Sequence, residues 1–377
     1  MATDPGRHRA PARFPFAWVA LALVVIAGLV VGVKAAFLDD DGGTEPVATA
    51  SSPGGDNSGD TNSSVPPTTA HVSGEQTTAA GNTTDPSTSP PPPPKKALVI
   101  HGAGDTNVDP GYIGVSPSNY DFLLSGMNGL FKQDDLTVVN LECAVSDIGS
   151  PVPKEFNFQG DPDALPYLKR DGVDVASMAN NHAYDYGPEA LVDTRTNIEE
   201  AGMVAVGAGK DPAEATKAGI VHVKGWTIAI VGFDKVVDPF PEAIAAPGHP
   251  GTACGHDVDC MVAATKKAAA VSDLTIVNIH WGVELDTQPR ADDVEIAHRL
   301  IDAGADIIFG GHAHRLQPFD MIDGRPVFYS LGNFVWPRLS AESATTEVAE
   351  VHVSPNGKFT ASALPTIIES GGHPVLQ

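Results

Sequence analysis

The chain has 377 residues and a formal net charge of −24. So acidic a chain excludes nucleic acid as a partner, because phosphate backbones are held by clustered Lys and Arg; it suits solubility, or a pocket that concentrates cations. Three cysteines are too few for a disulfide framework.

Arg7, Arg9 and Arg13 precede twenty uncharged residues, Phe14 to Val33, rich in Ala, Val, Leu and Ile, and Asp39, Asp40 and Asp41 follow. As a helix such a run spans roughly 30 Å, the thickness of a bilayer's hydrocarbon core. The placement of basic residues predicts 1–13 in the cytoplasm, 14–36 as a single-pass signal-anchor in the cell membrane, and the rest of the chain extracytoplasmic. The rival reading is a cleaved signal peptide, for which Ala35-Ala36 supplies small residues. Residues 37–94 are dominated by Ser, Thr, Pro, Gly, Ala and Asp, and end in the run Pro90 to Pro94. Such a segment cannot bury enough apolar surface to offset its ordering entropy, which predicts a disordered linker with a stiff end. It reads either as a stalk that holds a domain off the membrane or as a plain spacer.

From Lys95 the texture changes, and one domain is expected over 95–377. Short apolar runs recur at Ala97–Ile100, Leu136–Leu141, Val173–Met178, Met203–Val206, Ile220–Val223, Thr227–Val231, Leu274–Ile279 and Asp306–Phe309. Amphipathic stretches ending in glycine precede several of them: Asp163–Arg170 before Gly172, Pro188–Ala201 before Gly202, Asp293–Ala303 before Gly304. In the last, Val294, Ala297, Leu300 and Ile301 share one helical face, and a glycine suits the left-handed position that ends a helix. Helix, glycine and strand in succession indicate an α/β sheet covered by helices. Lys224-Gly225, Asp323-Gly324 and Asn356-Gly357 signal hairpins. Together these predict two sheets face to face with helices outside. Cys254 and Cys260, in a polar loop, read either as a disulfide closing that loop or as two free thiols. Cys143 reads as a small buried hydrophobe.

The apolar runs share a feature at their ends. Ala97–Ile100 leads to Asp105, with Asn107 two residues on. Leu136–Leu141 ends at Glu142, Val173–Met178 at Asn180-Asn181-His182, Leu274–Ile279 at His280, and Asp306–Phe309 at Gly310-Gly311-His312-Ala313-His314. In open α/β sheets ligands bind beyond the carboxyl ends of the strands. Asp105, Asn107, Glu142, Asn181, His280, His312 and His314 are therefore candidate metal ligands. Carboxylate, amide oxygen and imidazole suit Mn, Zn, Fe or Mg without a thiolate. Glu142 could bridge two such ions ~3.5–4 Å apart, which would acidify a water and neutralise a substrate oxyanion. His182 is a candidate general acid toward a leaving group. Asp185 reads either as the group that orients that imidazole or as a helix N-cap before Pro188. Ser330 and Asn333 read either as lining of the substrate mouth or as a turn around Gly332. Taken singly, each residue also has a plain reading as a turn residue, a solvated acid or a core histidine. Their shared position at strand ends argues for a site.

Gly104-Asp105, Asn140-Leu141-Glu142, Ala179-Asn180-Asn181-His182 with Asp185-Tyr186-Gly187, His280-Trp281-Gly282, Gly311-His312-Ala313-His314 and Tyr329-Ser330-Leu331-Gly332-Asn333-Phe334 resemble, in that order, the motifs of the CapA family. These are capsule or poly-gamma-glutamate biosynthesis proteins with a metallophosphatase-like fold, and the resemblance covers roughly Ala97 to Val335. It implies a four-layer α/β-β/α sandwich of metallophosphatase type. Asp105 resembles the first-strand aspartate, Glu142 the bridging acid, Asn181 the metal-binding asparagine and His182 the acid at the leaving group. His280, His312 and His314 resemble the three histidine ligands. The wider superfamily's Asp-x-His is here Asp105-Thr106-Asn107, which puts a weaker amide ligand at the first metal position.

The resemblance further implies a membrane-anchored factor that helps make, export or anchor an anionic polymer such as poly-gamma-glutamate. Its partners would be polymer-synthesis membrane proteins, and its site a dimetal hydrolase or transferase centre. Two other functions stay open: a metal-dependent phosphoesterase acting on a small phosphate ester, and a non-catalytic scaffold. Lys154, Lys169 and Arg170 are candidates for contact with an anionic chain, scattered surface lysines being the plainer reading.

Overall fold

Strands covered on both faces read as near-continuous apolar runs, and the first strand shows it: all but one of the residues in Leu98–Thr106 are buried. The computed structural model describes residues 93–236 and 240–377. The expectations for 1–13, 14–36 and nearly all of 37–94 lie outside the described residues. Among the described residues no helix is long and apolar enough to cross a membrane.

In chain order the strands are β1 (Leu98–Thr106), β2 (Leu136–Leu141), the short β3 (Ala144–Val145) and β4 (Gln159–Gly160), β5 (Val175–Ser177) and β6 (Val204–Val206). Then follow β7 (Ala208–Gly209), β8 (Gly219–Val223), β9 (Trp226–Asp234), β10 (Gly251–Thr252), β11 (Leu274–His280) and β12 (Ile307–Gly311). The last are β13 (Phe319–Ile322), β14 (Arg325–Phe328), β15 (Asn333–Val335), β16 (Thr345–Val353), β17 (Phe359–Glu369) and β18 (His373–Leu376).

One sheet runs β18-β17-β16-β1-β2-β5-β6, with β15 added beside the end of β1. The other runs β13-β14-β12-β11-β9-β8. In the first, β1, β2, β5 and β6 are mutually parallel. In the second, β9, β11, β12 and β14 are parallel. Antiparallel strands β8, β13, β16, β17 and β18 complete the edges.

Side chains alternate across a strand, and each sheet uses both faces. Ile100, Val138 and Val175 of the first sheet pack on Ile228, Ile276 and Phe309 of the second, forming a core between the sheets. The first sheet's other face turns Val139, Leu141 and Ala176 toward Leu165, Leu168, Leu191 and Ile198 of helices Leu165–Arg170 and Gly187–Glu200. On the second sheet's outer face, Val231, Val277 and Ile308 meet Met261, Ala264, Ala297 and Leu300 of helices Val258–Ala269 and Ala291–Asp302. The layers are helix, sheet, sheet, helix.

The hairpins follow their turn residues. Lys224 and Gly225 take φ of 48° and 84° between β8 and β9, and Asp323 and Gly324 take 49° and 76° between β13 and β14. Both pairs meet the positive φ that tight hairpins require. Helix Val258–Ala269 corrects the reading of this stretch as a polar loop: Asp257 caps it by accepting from the Cys260 N–H. Cys254 and Cys260 are disulfide-bonded, with Cα atoms 5.6 Å apart, so the bridge ties the loop to the helix's first turn. Cys143 is buried and unpaired.

One contact sets where β1 ends. The Asp105 N–H donates to the Gly332 carbonyl at 2.9 Å. A Cβ at Gly104 would lie 2.0 Å from that same oxygen. Only glycine lets the two backbones approach so closely. Gly104→Ala should therefore lower unfolding stability by about 2 kcal/mol or more, read from urea denaturation; an unchanged midpoint would show that this approach is not needed.

Candidate metal centre

The parallel strands of the two sheets end on a common rim. β1 delivers Asp105, β2 leads into Glu142, and the turn after β5 carries Asn180, Asn181 and His182. From the second sheet, β11 ends in His280, and β12 runs into His312 and His314. His312 and His314 hold φ of 91° and 51°, a left-handed backbone that non-glycine residues seldom adopt. Such outliers gather at functional sites, where surrounding contacts enforce them. A Cβ at Gly311 would lie 2.4 Å from Asp105 Oδ1, so glycine lets β12 pass beside the aspartate.

The structure brings six of the seven candidate ligands together. Glu142, His280 and His312 each offer a ligand atom within 4.8 Å of the others, and Asp105, Glu142 and His314 do the same. Glu142 belongs to both groups, as a bridging acid must. Asn181 Oδ1 lies 2.9 Å from His280 Nε2 and so joins the first group. His280 Nε2 is 3.3 Å from Glu142 Oε1, and His314 Nδ1 is 3.2 Å from Asp105 Oδ2. Asn107, the seventh, is fully buried and its Nδ2 has no hydrogen-bond partner. Its amide oxygen accepts from the Asp109 N–H at 2.8 Å, held by its own turn.

A supporting layer holds these groups in place. Asn140 Nδ2 donates to Asp105 Oδ1 at 2.8 Å and lies 3.1 Å from His280 Nδ1. Asn180 Nδ2 donates to Asn140 Oδ1, and Asn180 Oδ1 accepts from the His182 N–H. Asn333 Oδ1 lies 2.8 Å from His314 Nδ1. Outer partners of this kind orient metal ligands.

The electrostatics fit a cation. Both Glu142 oxygens and His312 Nδ1 are buried without a hydrogen-bond partner, a rare condition for buried polar atoms. Burial, then the neighbouring Asp105, lifts the Glu142 carboxyl well above the usual carboxylate range. Burial, then His312, pulls His280 well below the ordinary imidazole value, and burial lowers His312 to about 3. For His314 burial also opposes charge, but Asp105 outweighs it and the imidazole shifts upward. At His280 and His312, neutral imidazoles beside unpartnered carboxylate oxygens are what a divalent ion needs.

His182 sits beside the cluster, where its Nδ1 is 2.7 Å from Asp185 Oδ2. Asp185 also accepts from Lys154 Nζ at 2.5 Å and from the Phe158 N–H at 2.7 Å. Of the two readings of Asp185, the geometry shows the orienting one, because Tyr186 is the N-cap of helix Gly187–Glu200 and makes no side-chain cap. Burial lowers the His182 pKa, and Asp185 works against that shift.

One placement departs from the plainer sequence reading, and two others bear on choices it left open. Lys154 is no scattered surface lysine: its side chain is 8% exposed and bonds Asp185 and the Asn181 carbonyl. Its flanking prolines gave no sign of this. Of the two readings of Ser330 the geometry favours the turn, since its buried hydroxyl accepts from the Gly332 N–H. Asn333 uses its amide on His314 and the Ser343 carbonyl, so it positions a ligand, and it also borders a cavity beside the cluster, as the mouth reading expected. Asp234, at the end of β9 beside His280, went unnoticed; it is fully buried and accepts from the Val236 N–H and the Thr252 hydroxyl.

A cluster of side chains that could hold metal, on the joint rim of two packed sheets, is what the metallophosphatase-like class presents. Within that class the chain belongs to the family described as bacterial capsule synthesis protein PGA_cap, whose sequence profile matches residues 99–338. It is 30% identical over 240 residues to the PGA biosynthesis protein CapA of Bacillus subtilis (strain 168), covering 63% of this chain and 62% of that one. It is 33% identical over 223 residues to the capsule biosynthesis protein CapA of Bacillus anthracis, covering 58% and 53%. The matched region thus spans between about half and three fifths of these relatives. Among solved structures, the NAD nucleotidase (NadN) of Haemophilus influenzae is similar at a TM-score of 0.43 and 17% identity, over 75% of this chain and 54% of that one.

Two outcomes are expected. Because Glu142 belongs to both ligand groups, Glu142→Gln should weaken Mn or Zn binding to the full chain by on the order of 100-fold in calorimetric titration. Binding should also release a proton from Glu142, so affinity falls as the pH drops through its raised pKa. Equal heats in buffers of different ionisation enthalpy would contradict this.

Asp234 supplies a stability test. Burial pushes its carboxyl from 3.8 up to about 7. A folded pKa above the unfolded one favours the native state at low pH, and that contribution disappears as the pH rises from about 4 through about 7. With chelator present, Asp234→Asn should gain on wild type by on the order of 4 kcal/mol across that range. Parallel stability curves would rule this out.

Proposed function

We propose that the chain is a membrane-anchored, extracytoplasmic factor of anionic capsule-polymer formation, with poly-gamma-glutamate as the polymer. Its chemical step is divalent-metal-dependent cleavage or transfer of a phosphate ester. Family membership and the names of the two CapA relatives support the polymer. The sequence of residues 1–36 supports the anchor. One observation carries the chemistry: Glu142 is shared by two ligand groups, and an aspartate-held histidine stands beside them.

Asp105, Glu142, Asn181, His280, His312 and His314 would hold two ions of the Mn, Zn, Fe or Mg type. Such ions, when bound, supply a nucleophile at neutral pH and offset charge on the phosphoryl oxygens. The chain's own residues do the rest. Asp185 fixes the His182 ring through Nδ1, leaving Nε2 to give a proton to the departing oxygen. Lys154 and the Phe158 N–H fix Asp185 in turn. A cleft of about 630 Å³, bordered by Asn181, His182 and His312, gives a substrate room. Its Lys154, Lys235 and Arg290 are paired with Asp185, Asp292 and Asp293, so compensation of an anionic group would fall to the bound ions.

His182→Ala should lower kcat on a phosphate ester by on the order of 10²–10⁴-fold while metal content is kept. Polymer formation in cells carrying that variant should fall in parallel. A loss under tenfold would reject the catalytic role. Polymer formation that survives loss of hydrolysis would separate the capsule role from this site and favour a scaffold.

A further inference from the structure

Two cavities meet beside the metal cluster, and their chemistry differs. The cleft of about 630 Å³ is polar and charged, bordered by Lys154, Lys235 and Arg290 and also by Glu155 and Asp292. The second cavity, about 310 Å³, is bordered mainly by Tyr112, Phe158, Trp336, Leu285 and Leu339 and by the cluster's His314. Arg315, Asn333, Ser340 and Ser343 add polar edges. His182, Phe156 and Glu284 border both.

Rings make the wall of the smaller cavity. Tyr112 lies 4.3 Å from Phe158 and meets Trp336 edge-on at 5.5 Å. The wall reaches the cluster at two points, where Phe158 lies 4.3 Å from His182 and Trp336 lies 4.6 Å from His314. Its rim is apolar too: Leu339 is 68% exposed, Leu285 60% and Phe156 57%. A side chain so exposed gains little from burial on folding. Leu285 also holds φ of 68°, a left-handed backbone that suits Gly or Asn and burdens leucine. A strained, solvent-facing leucine is kept there for something other than the core.

We infer that this cavity binds the apolar alcohol portion of the substrate ester, an aryl or alkyl group joined through oxygen to the phosphoryl group at the cluster. The inference rests on the phosphoester reading above and adds the substrate class. The P–O bond to that alcohol breaks as water adds to phosphorus. The alcohol leaves with a proton from His182, and a proton from the water replaces it. His182 borders both cavities, which places it between the departing oxygen and the phosphoryl group.

The test uses the full chain loaded with Mn, and compares kcat/KM for 1-naphthyl, octyl and methyl phosphate. Wild type should prefer naphthyl or octyl phosphate over methyl phosphate by tenfold or more; the preferred arm tells a ring from a chain. Leu339→Ser and Leu285→Asn should each shrink that preference at least threefold, through KM. Asn relieves the strained backbone, so the second variant should fold at least as well as wild type. Val271→Ser, which changes another exposed apolar residue, at the opposite end of β11, should keep the preference. No preference in wild type, or an undiminished one in both rim variants, overturns the inference.

If no ester is hydrolysed, the phosphoester reading fails by itself, and binding then decides the pocket. 1-Naphthylphosphonate should quench tryptophan fluorescence more strongly than methylphosphonate, and Trp336→Phe should remove that quenching. Equal responses to the two phosphonates overturn the pocket.

Discussion

The buried carboxylate of Glu142 is the group around which the rest is arranged. It stands at the end of a strand with neither oxygen hydrogen-bonded, and Asp105 is its nearest acid. A bare carboxylate in such a place is costly, and a second one nearby raises the cost. The surroundings answer this in one way, with imidazoles that burial keeps neutral and amides that fix the other acid. Two strands from each sheet must end at one point for this to happen, so the pairing of the sheets and the chemistry of the site are a single requirement.

That requirement explains the tight places in the backbone. β1 and β15 approach at Gly104 and Gly332, and β12 passes Asp105 at Gly311. Beyond Gly311 the chain turns left-handed twice, which sets two imidazoles on the cluster from a single short loop. Asn333 braces His314 from β15, the strand that the Gly104 contact holds in place. Packing between the sheets and ligand placement therefore reinforce one another, and a disturbance of either is felt by both.

Much of this was legible in the sequence because the site is built at strand ends. An apolar run that stops at Glu142 or His280 announces both the strand and the group it delivers. Motifs such as Asn181-His182 and His312-Ala313-His314 carried the ligands in the same way. Groups brought in sideways left no such mark. Lys154 comes from a proline-rich loop, and only the folded chain shows it against Asp185. Cys254 and Cys260 were read together in a polar loop, but Cys260 lies in the first turn of helix Val258–Ala269, whose start the cysteine spacing does not mark. The motif around Ser330 allowed a mouth or a turn, and only the folded chain shows its hydroxyl serving the turn. The aromatic wall of Tyr112, Phe158 and Trp336 unites residues far apart in the chain, and no local pattern could join them.

The Cys254–Cys260 bridge lies next to a seam. Ala253, the residue before it, accepts from the Asp234 N–H at 3.3 Å and donates to the Gly207 carbonyl at 2.9 Å. One backbone residue thus stitches the end of β9 to the turn after β6, linking the two sheets. The bridge is formed where oxidants reach it and lost where thiols are kept reduced. In a reducing compartment the segment after Ala253 would lose its covalent tie to the first turn of the helix, while the apolar core between the sheets would still hold them together.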